Sequence, residues 1–256
     1  MTRPSVVADR TALVTGGGRG LGLAIVGALV DAGARVVAVG RNAGELERVA
    51  ADYPGRVRAE TCDVSEPESV ASLAHRLADE DVSILINNAG VPGPVADLID
   101  IAPADWDAVF NVNVRGVFLM CRAFLPAMVE AGRGDVINLA SVSGKRPLPG
   151  RTPYCASKTA VIGLTTTLAA EVGKHGVAMN SLSPGPVDGP RMHRNFRLEA
   201  DRTGITYEQA EAAFVSRAML GRMVTESEVA AAVLAMLAMP GLCAADIDLS
   251  AGMVGR

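Results

Sequence analysis

Thr15-Gly16-Gly17-Gly18-Arg19-Gly20-Leu21-Gly22 joins a short apolar run, Ala12–Thr15, to a stretch with helical spacing, Leu21–Ala32. A strand that turns through glycines into a helix can bring its backbone close to a ligand, because no Cβ stands in the way at Gly16, Gly18, Gly20 or Gly22. The helix start at Leu21 offers N–H groups without intrahelical partners and a positive dipole end, which suit the phosphates of a dinucleotide. The spacing is TGxxxGxG rather than GxGxxG. A glycine-rich turn that holds no ligand is the alternative reading of this stretch taken alone.

The same strand-then-helix rhythm continues along the chain. Further strand candidates are Arg35–Val39, Val57–Thr61, Ile84–Asn87, Val136–Leu139, Ala178–Leu182 and Ile247–Leu249. Most are apolar throughout rather than alternating, as expected of parallel strands covered on both faces. Helical spacing between them, as in Thr159–Lys174, predicts a single-domain α/β fold over residues 1–256: a Rossmann-type doubly wound parallel sheet of about seven strands. Pro190–Arg222 breaks the rhythm between the sixth and seventh strands. An insert at about 190–222 follows a strand's carboxyl end, where ligands bind in such sheets, so it is expected to cover a substrate. A surface helical hairpin without a role is the alternative.

Composition narrows the function classes. Hydrophobic residues make up 49% and charged residues 20%, which excludes a disordered chain. Aromatic residues are only 4% and the net charge is −4, so neither a base-stacking platform nor a basic stripe argues for nucleic acid. Cys62, Cys121, Cys155 and Cys243 are scattered, which argues against a metal site and fits a reducing cytoplasm. The start, Met1 to Arg10, has no apolar core of a leader, and the apolar run Val229–Met239 is too short to span a bilayer; a soluble cytoplasmic protein with no membrane partner is the expectation.

Three further pieces complete a pattern: Asn87-Asn88-Ala89-Gly90 after the fourth strand, Ser141 after the fifth, and Tyr154-Cys155-Ala156-Ser157-Lys158. With the glycine turn, in this order and spacing, they make the chain similar to the short-chain dehydrogenase/reductase family from Thr11 to about Gly252. The resemblance implies hydride transfer between a nicotinamide cofactor and a ketone or secondary alcohol of a small molecule. It also implies a dimer or, as expected here, a homotetramer built through the helices around Trp106–Met128 and Tyr154–Lys174.

The chemistry fits those residues. Tyr154 stands four residues before Lys158 on a helical pattern, which puts both side chains on one face. A free phenol ionises near pH 10, and a neighbouring ammonium favours the phenolate, so the pair can exchange a proton nearer neutrality. By resemblance, Lys158 also binds the nicotinamide ribose, Ser141 holds the substrate oxygen 13 residues before Tyr154, and Asn113 supports a water relay to Lys158. Taken singly, a YxxxK can arise by chance and a serine after a strand is often a cap.

For the cofactor, an acidic residue at the end of the second strand would hold the ribose hydroxyl of NAD, but that strand ends Val39-Gly40-Arg41. Arg41 and Arg19 can pair with a 2′-phosphate, so NADP (as NADPH) is expected; a solvated loop arginine and a cap over the turn are their alternatives. Asp63-Val64 is expected near the adenine by resemblance, although Asp63 or Ser65 could equally cap the helix that starts around Pro67. By resemblance the Asn87–Gly90 turn supports the sheet and borders the cofactor through Asn88 and Ala89, although a purely structural role is the preferred reading for Asn87 and Asn88; Gly90 would leave the cofactor room. For Pro184-Gly185-Pro186-Val187 the resemblance implies a turn that meets the nicotinamide, with the Val187 backbone bonding its carboxamide; relatives often carry a threonine two residues later, where this chain has Gly189.

In the insert, Arg191, His193, Arg194 and Arg197 could bind an anionic substrate, although a solvated face or pairing with Glu199, Glu208 or Glu211 is the preferred reading. Met192, Phe196 and Phe214 would wall a pocket. Two rival functions are a 3-oxoacyl-carrier-protein reductase, weakened by the tail Asp248-Leu249-Ser250-Ala251-Gly252-Met253, and a non-catalytic NADP-binding regulator, weakened by the presence of Tyr154 and Lys158.

Overall fold

The computed structural model describes residues 5–254. Seven parallel strands form one sheet in the order β3-β2-β1-β4-β5-β6-β7: β1 Thr11–Thr15, β2 Arg35–Gly40, β3 Val57–Thr61, β4 Val82–Asn87, β5 Gly134–Leu139, β6 Val177–Pro184 and β7 Asp246–Leu249. Nine α-helices accompany them among the described residues: α1 Gly20–Asp31, α2 Ala43–Asp52, α3 Pro67–Arg76, α4 Pro103–Phe110, α5 Gly116–Glu130, α6 Thr152–Val172, α7 Pro190–Thr203, α8 Tyr207–Val215 and α9 Glu226–Leu237.

Side-chain alternation along β1 divides the core. Ala12 and Val14 face the layer of α1, α2 and α9, with Ile25, Leu46 and Val233. Leu13 faces the layer of α3, α5 and α6, with Leu73, Met120 and Val161. Both faces are covered, which is why the strands read as unbroken apolar runs. The doubly wound fold is therefore as the sequence predicts.

Strand starts lie earlier than the apolar runs suggest. β4 begins at Val82 and contains buried Ser83, whose hydroxyl and carbonyl accept bonds from Arg10 at 3.1 and 2.8 Å. The same guanidinium meets Asp135 of β5 at 2.7 Å. One arginine thus satisfies polar groups that otherwise argue against a strand. β6 runs on to Pro184 because Ser181 and Ser183 both donate to Asp246 of β7, at 2.8 and 2.7 Å.

A π-helical turn, Asn111–Arg115, links α4 to α5. The resulting stretch, Pro103–Glu130, is long and apolar enough to cross a membrane, unlike Val229–Met239; half of its most apolar window is buried within the protein. The insert is a helical hairpin of α7 and α8 with a small core of its own, Phe196, Ala200 and Ala210. Phe196 is only 1% exposed, so it fills that core and cannot wall a pocket as the sequence suggested.

α6 is fixed to the sheet by a buried polar chain. Asn87 donates to Asn138 at 2.8 Å, Asn138 to Thr165 at 2.9 Å, and Thr165 to the Val161 carbonyl at 2.7 Å. Replacing Thr165 by Val leaves the Asn138 amide without its acceptor, and denaturant unfolding should register a loss of about 1–3 kcal/mol; an unchanged midpoint would show that these bonds do not hold α6 to the sheet.

Candidate active site

The glycine turn is shaped by its own backbone. Gly16 and Gly20 have φ of +70° and +54°, a region that favours glycine. A Cβ on Gly22 would stand 1.9 Å from the Gly16 carbonyl oxygen, so the turn can close onto α1 only with glycine there. The turn is clasped to the end of β4. The Thr15 hydroxyl accepts from the backbone N–H groups of Asn88 and Ala89, both at 3.0 Å, and Asn88 Nδ2 donates to the Thr15 carbonyl at 2.9 Å.

At the start of α1, Arg19 occupies the cap position without a side-chain cap bond. The first backbone bond there runs from Leu23 to Arg19, which leaves the N–H groups of Gly20, Leu21 and Gly22 without partners among the described residues. Such an end suits an anionic group. Across the turn, Glu226 lies close to Gly20 and Gly189, and burial and then Asp188 raise its carboxyl above the usual range.

The basic residues expected at the adenosine end each meet a carboxylate. Arg19 lies 3.7 Å from Glu45 and Arg41 3.8 Å from Asp63, with both arginines well exposed. A sequence search of the second strand's end for acids cannot see Glu45, which α2 brings back over the turn, its side chain against Gly18. Asp63 caps nothing: the cap residue of α3 is Glu66, and it makes no side-chain bond. Instead Asp63 accepts from the Ser65 backbone at 3.0 Å and hydroxyl at 2.6 Å. Partial burial opposes its ionisation, but these bonds and Arg41 hold its carboxyl below the usual range. Val64 is buried and packs against Gly116.

At the other end, Pro184 closes β6, and a Cβ on Gly185 would come within 2.9 Å of Ser250, so packing alone demands glycine there. Val224 donates to the Pro186 carbonyl and accepts from the Asp188 N–H. This bridge leaves the Val187 N–H and C=O without a backbone partner among the described residues. The uncapped end of α1 and this open backbone both fit an elongated dinucleotide.

Between them stands the catalytic candidate group. α6 begins at Thr152, before Tyr154, and carries Tyr154 and Lys158 one turn apart. The Lys158 ammonium lies 5.8 Å from the Tyr154 ring centre, is 5% exposed, and donates to the Leu139 carbonyl at 2.6 Å. Ser141 caps a short 3₁₀ turn, its oxygen accepting from the Ser143 N–H at 3.1 Å, and its side chain also stands beside the Tyr154 phenol. Asn113 sits in the π-helical turn, bonded to both backbone groups of Val91 and to Ser157. Asn113 and Lys158 make no direct hydrogen bond; Gly90 packs between them, where a Cβ would be 3.2 Å from Asn113 Oδ1 and 3.7 Å from Lys158 Nζ.

Two residues that the sequence did not single out as catalytic neighbours join this group. The guanidinium carbons of Arg191, at the start of α7, and Arg151, just before α6, lie 5.5 and 5.8 Å from the Tyr154 ring centre. Burial opposes ionisation of the phenol, yet Arg191, Lys158, Ser141 and Arg151, in that order, outweigh it and hold Tyr154 below its ordinary value. For Lys158 burial lowers the ammonium's value, Tyr154 raises it and Arg191 lowers it, with a downward net shift. A phenol flanked by cations and beside a serine hydroxyl can give and take a proton at a bound carbonyl or carbinol.

The short chain dehydrogenase family model matches residues 10–201. A D-threitol dehydrogenase of Mycolicibacterium smegmatis is 40% identical over 196 residues, covering 71% of this chain and 75% of that protein. An actinorhodin polyketide ketoreductase solved with NADPH superposes with a TM-score of 0.91 at 30% identity, covering 97% of this chain and 98% of its own. An NAD+-bound xylitol dehydrogenase gives a TM-score of 0.89 at 25% identity over 97% and 99% of the two chains.

Near-ultraviolet difference titration of wild type against Tyr154→Phe should place the Tyr154 transition below that of a free tyrosine, and Arg191→Gln should move it to higher pH. A transition that ignores Arg191 would contradict the electrostatic account.

Proposed function

The chain belongs to the short-chain dehydrogenase family, and we propose on that footing that it is an NADP(H)-dependent reductase or dehydrogenase of a small-molecule ketone or secondary alcohol. The observation that carries this reading is Tyr154 set among Lys158, Arg191 and Ser141 at the carboxyl end of the sheet.

In this reading Gly16, Gly18, Gly20, Leu21 and Gly22 cradle the cofactor's phosphates, and Asp63, Val64, Asn88, Ala89 and Gly90 border its adenosine and ribose portions. Pro184, Gly185 and Val187 border the nicotinamide. When bound, the cofactor supplies or accepts the hydride. Ser141 orients the substrate oxygen. Tyr154 donates its proton to the oxygen of a ketone, or takes one from an alcohol, and the cations beside it stabilise the phenolate in either direction. Lys158 holds the ribose as well as the phenolate, and Asn113 positions the wall behind it through Val91 and Ser157.

The preference for NADP rests on Arg19 and Arg41, whose exposed guanidinia can exchange their distant carboxylate partners for a 2′-phosphate. Glu45 opposes that choice. The α7–α8 hairpin covers the substrate, since Arg191 of α7 reaches the Tyr154 ring. The protein acts in the cytoplasm as a homotetramer, and exposed Phe118 on α5 offers apolar surface to a second copy.

Three measurements check this reading. Tyr154→Phe should reduce turnover by roughly 10²–10⁴-fold while NADP still binds; unaltered turnover would refute the assignment. Arg41→Ala should lower the NADP-over-NAD ratio of kcat/KM by about tenfold, and Glu45→Gln should raise it; the opposite signs would assign the site to NAD. Light scattering should return four times the chain mass, and the mass of a single chain would exclude the assembly.

A further inference from the structure

Arg151 is 7% exposed, yet its Nε has no hydrogen-bond partner. Its best contact is a long one, Nη1 to Asn195 Oδ1 at 3.3 Å. A buried guanidinium is costly unless its donors are met. Here the cost is compounded, because Arg151, Arg191 and Lys158 all lie within 5.8 Å of the centre of one ring.

No carboxylate among the described residues comes within 4.0 Å of any of the three. The acids nearby are engaged elsewhere. Glu199 is held by both nitrogens of Arg202, at 2.8 and 3.1 Å, and Asp188 lies 3.1 Å from His193. A Tyr154 phenolate brings one negative charge against three positive ones. Arg191 is open to solvent, whereas the buried Arg151 beside it has no counterion among the described residues, and an anion entering past Arg191 would supply one.

The two arginines come from different elements. Arg151 is the residue before α6, and Arg191 is in the first turn of α7. Two guanidinium forks, each within 5.8 Å of the ring of one proton donor, match a planar, two-oxygen anion better than a lone charge would. We propose that Arg151 and Arg191 form a carboxylate-binding subsite beside Tyr154, so that the substrate pair is an oxo acid and the corresponding hydroxy acid. This rests on the oxidoreductase reading. In reduction the carbonyl carbon gains the hydride of NADPH, the carbonyl oxygen gains the Tyr154 proton, and hydroxy acid and NADP+ leave; the carboxylate stays intact between the arginines. Because Arg191 sits on the insert, the bound carboxylate also ties the hairpin to α6.

The test separates binding from turnover. Malonate, which mimics a 3-oxo acid but accepts no hydride, is titrated calorimetrically into the protein with NADP+, with uncharged malonamide as control. Malonate should bind at least about tenfold more tightly than malonamide, a difference of about 1.4 kcal/mol. Arg191→Gln should abolish that difference, and Arg151→Lys should weaken it; should Arg151→Lys not fold, Arg191→Gln decides alone. Equal binding of the two probes overturns the subsite. In parallel, kcat/KM is compared for 3-oxo acids, their amides, phosphate esters of hydroxyketones, and the polyols threitol and xylitol. Preference for the acids supports the proposal. Equal or better use of amides or polyols overturns it and leaves the oxidoreductase reading standing. Preference for phosphate esters overturns the carboxylate class. Tight malonate binding with no hydride transfer to any compound overturns the oxidoreductase reading and leaves the anion site.

Discussion

The buried ammonium of Lys158 is the constraint around which the site is arranged. A charge so enclosed persists only where donors are met and opposite charge is near. The Leu139 carbonyl at the end of β5 meets one donor, and the Tyr154 phenol one helical turn away supplies the compensating charge when it ionises. This couples three levels of the structure. The parallel sheet delivers the carbonyl, α6 delivers lysine and tyrosine on one face, and the polar chain Asn87–Asn138–Thr165 fixes α6 on the strands.

The cofactor side depends on a different device. Thr15 uses one hydroxyl to hold the backbone after β4, so that the glycine turn and the Asn88–Gly90 turn form one rigid edge. The π-helical turn then adds its extra residue where Asn113 must reach Val91 and Ser157. Such turns are often found at functional sites because they redirect one side chain without ending the helix.

Much of this was legible in the sequence, for physical reasons. The glycine turn announces itself because only glycine tolerates the close approach at Gly22 and the positive φ at Gly16 and Gly20. Tyr154 and Lys158 are visible because helical spacing converts four residues into one face. Pairing between distant charges is not encoded in spacing. Arg191 is exposed, as a solvated face requires, but it also reaches the Tyr154 ring, and of the expected acid partners Glu199 is taken by Arg202. Arg151 gave no signal, since its nearness to Tyr154 depends on the bend before α6. Glu45 escaped because α2 folds back over a turn that precedes it by many residues. Phe196 was misplaced because an apolar residue in an insert can fill the insert's own core as readily as wall a pocket.

The most direct test of the central claim follows the hydride itself. One turnover with NADPH deuterated at the transferring position of nicotinamide C4, on an oxo substrate, can be read by mass spectrometry of the product. The account predicts a single deuteron on the new carbinol carbon with the wild-type protein, and almost none in the same time with Tyr154→Phe. Product formed without deuterium, or equal transfer by the variant, would contradict it.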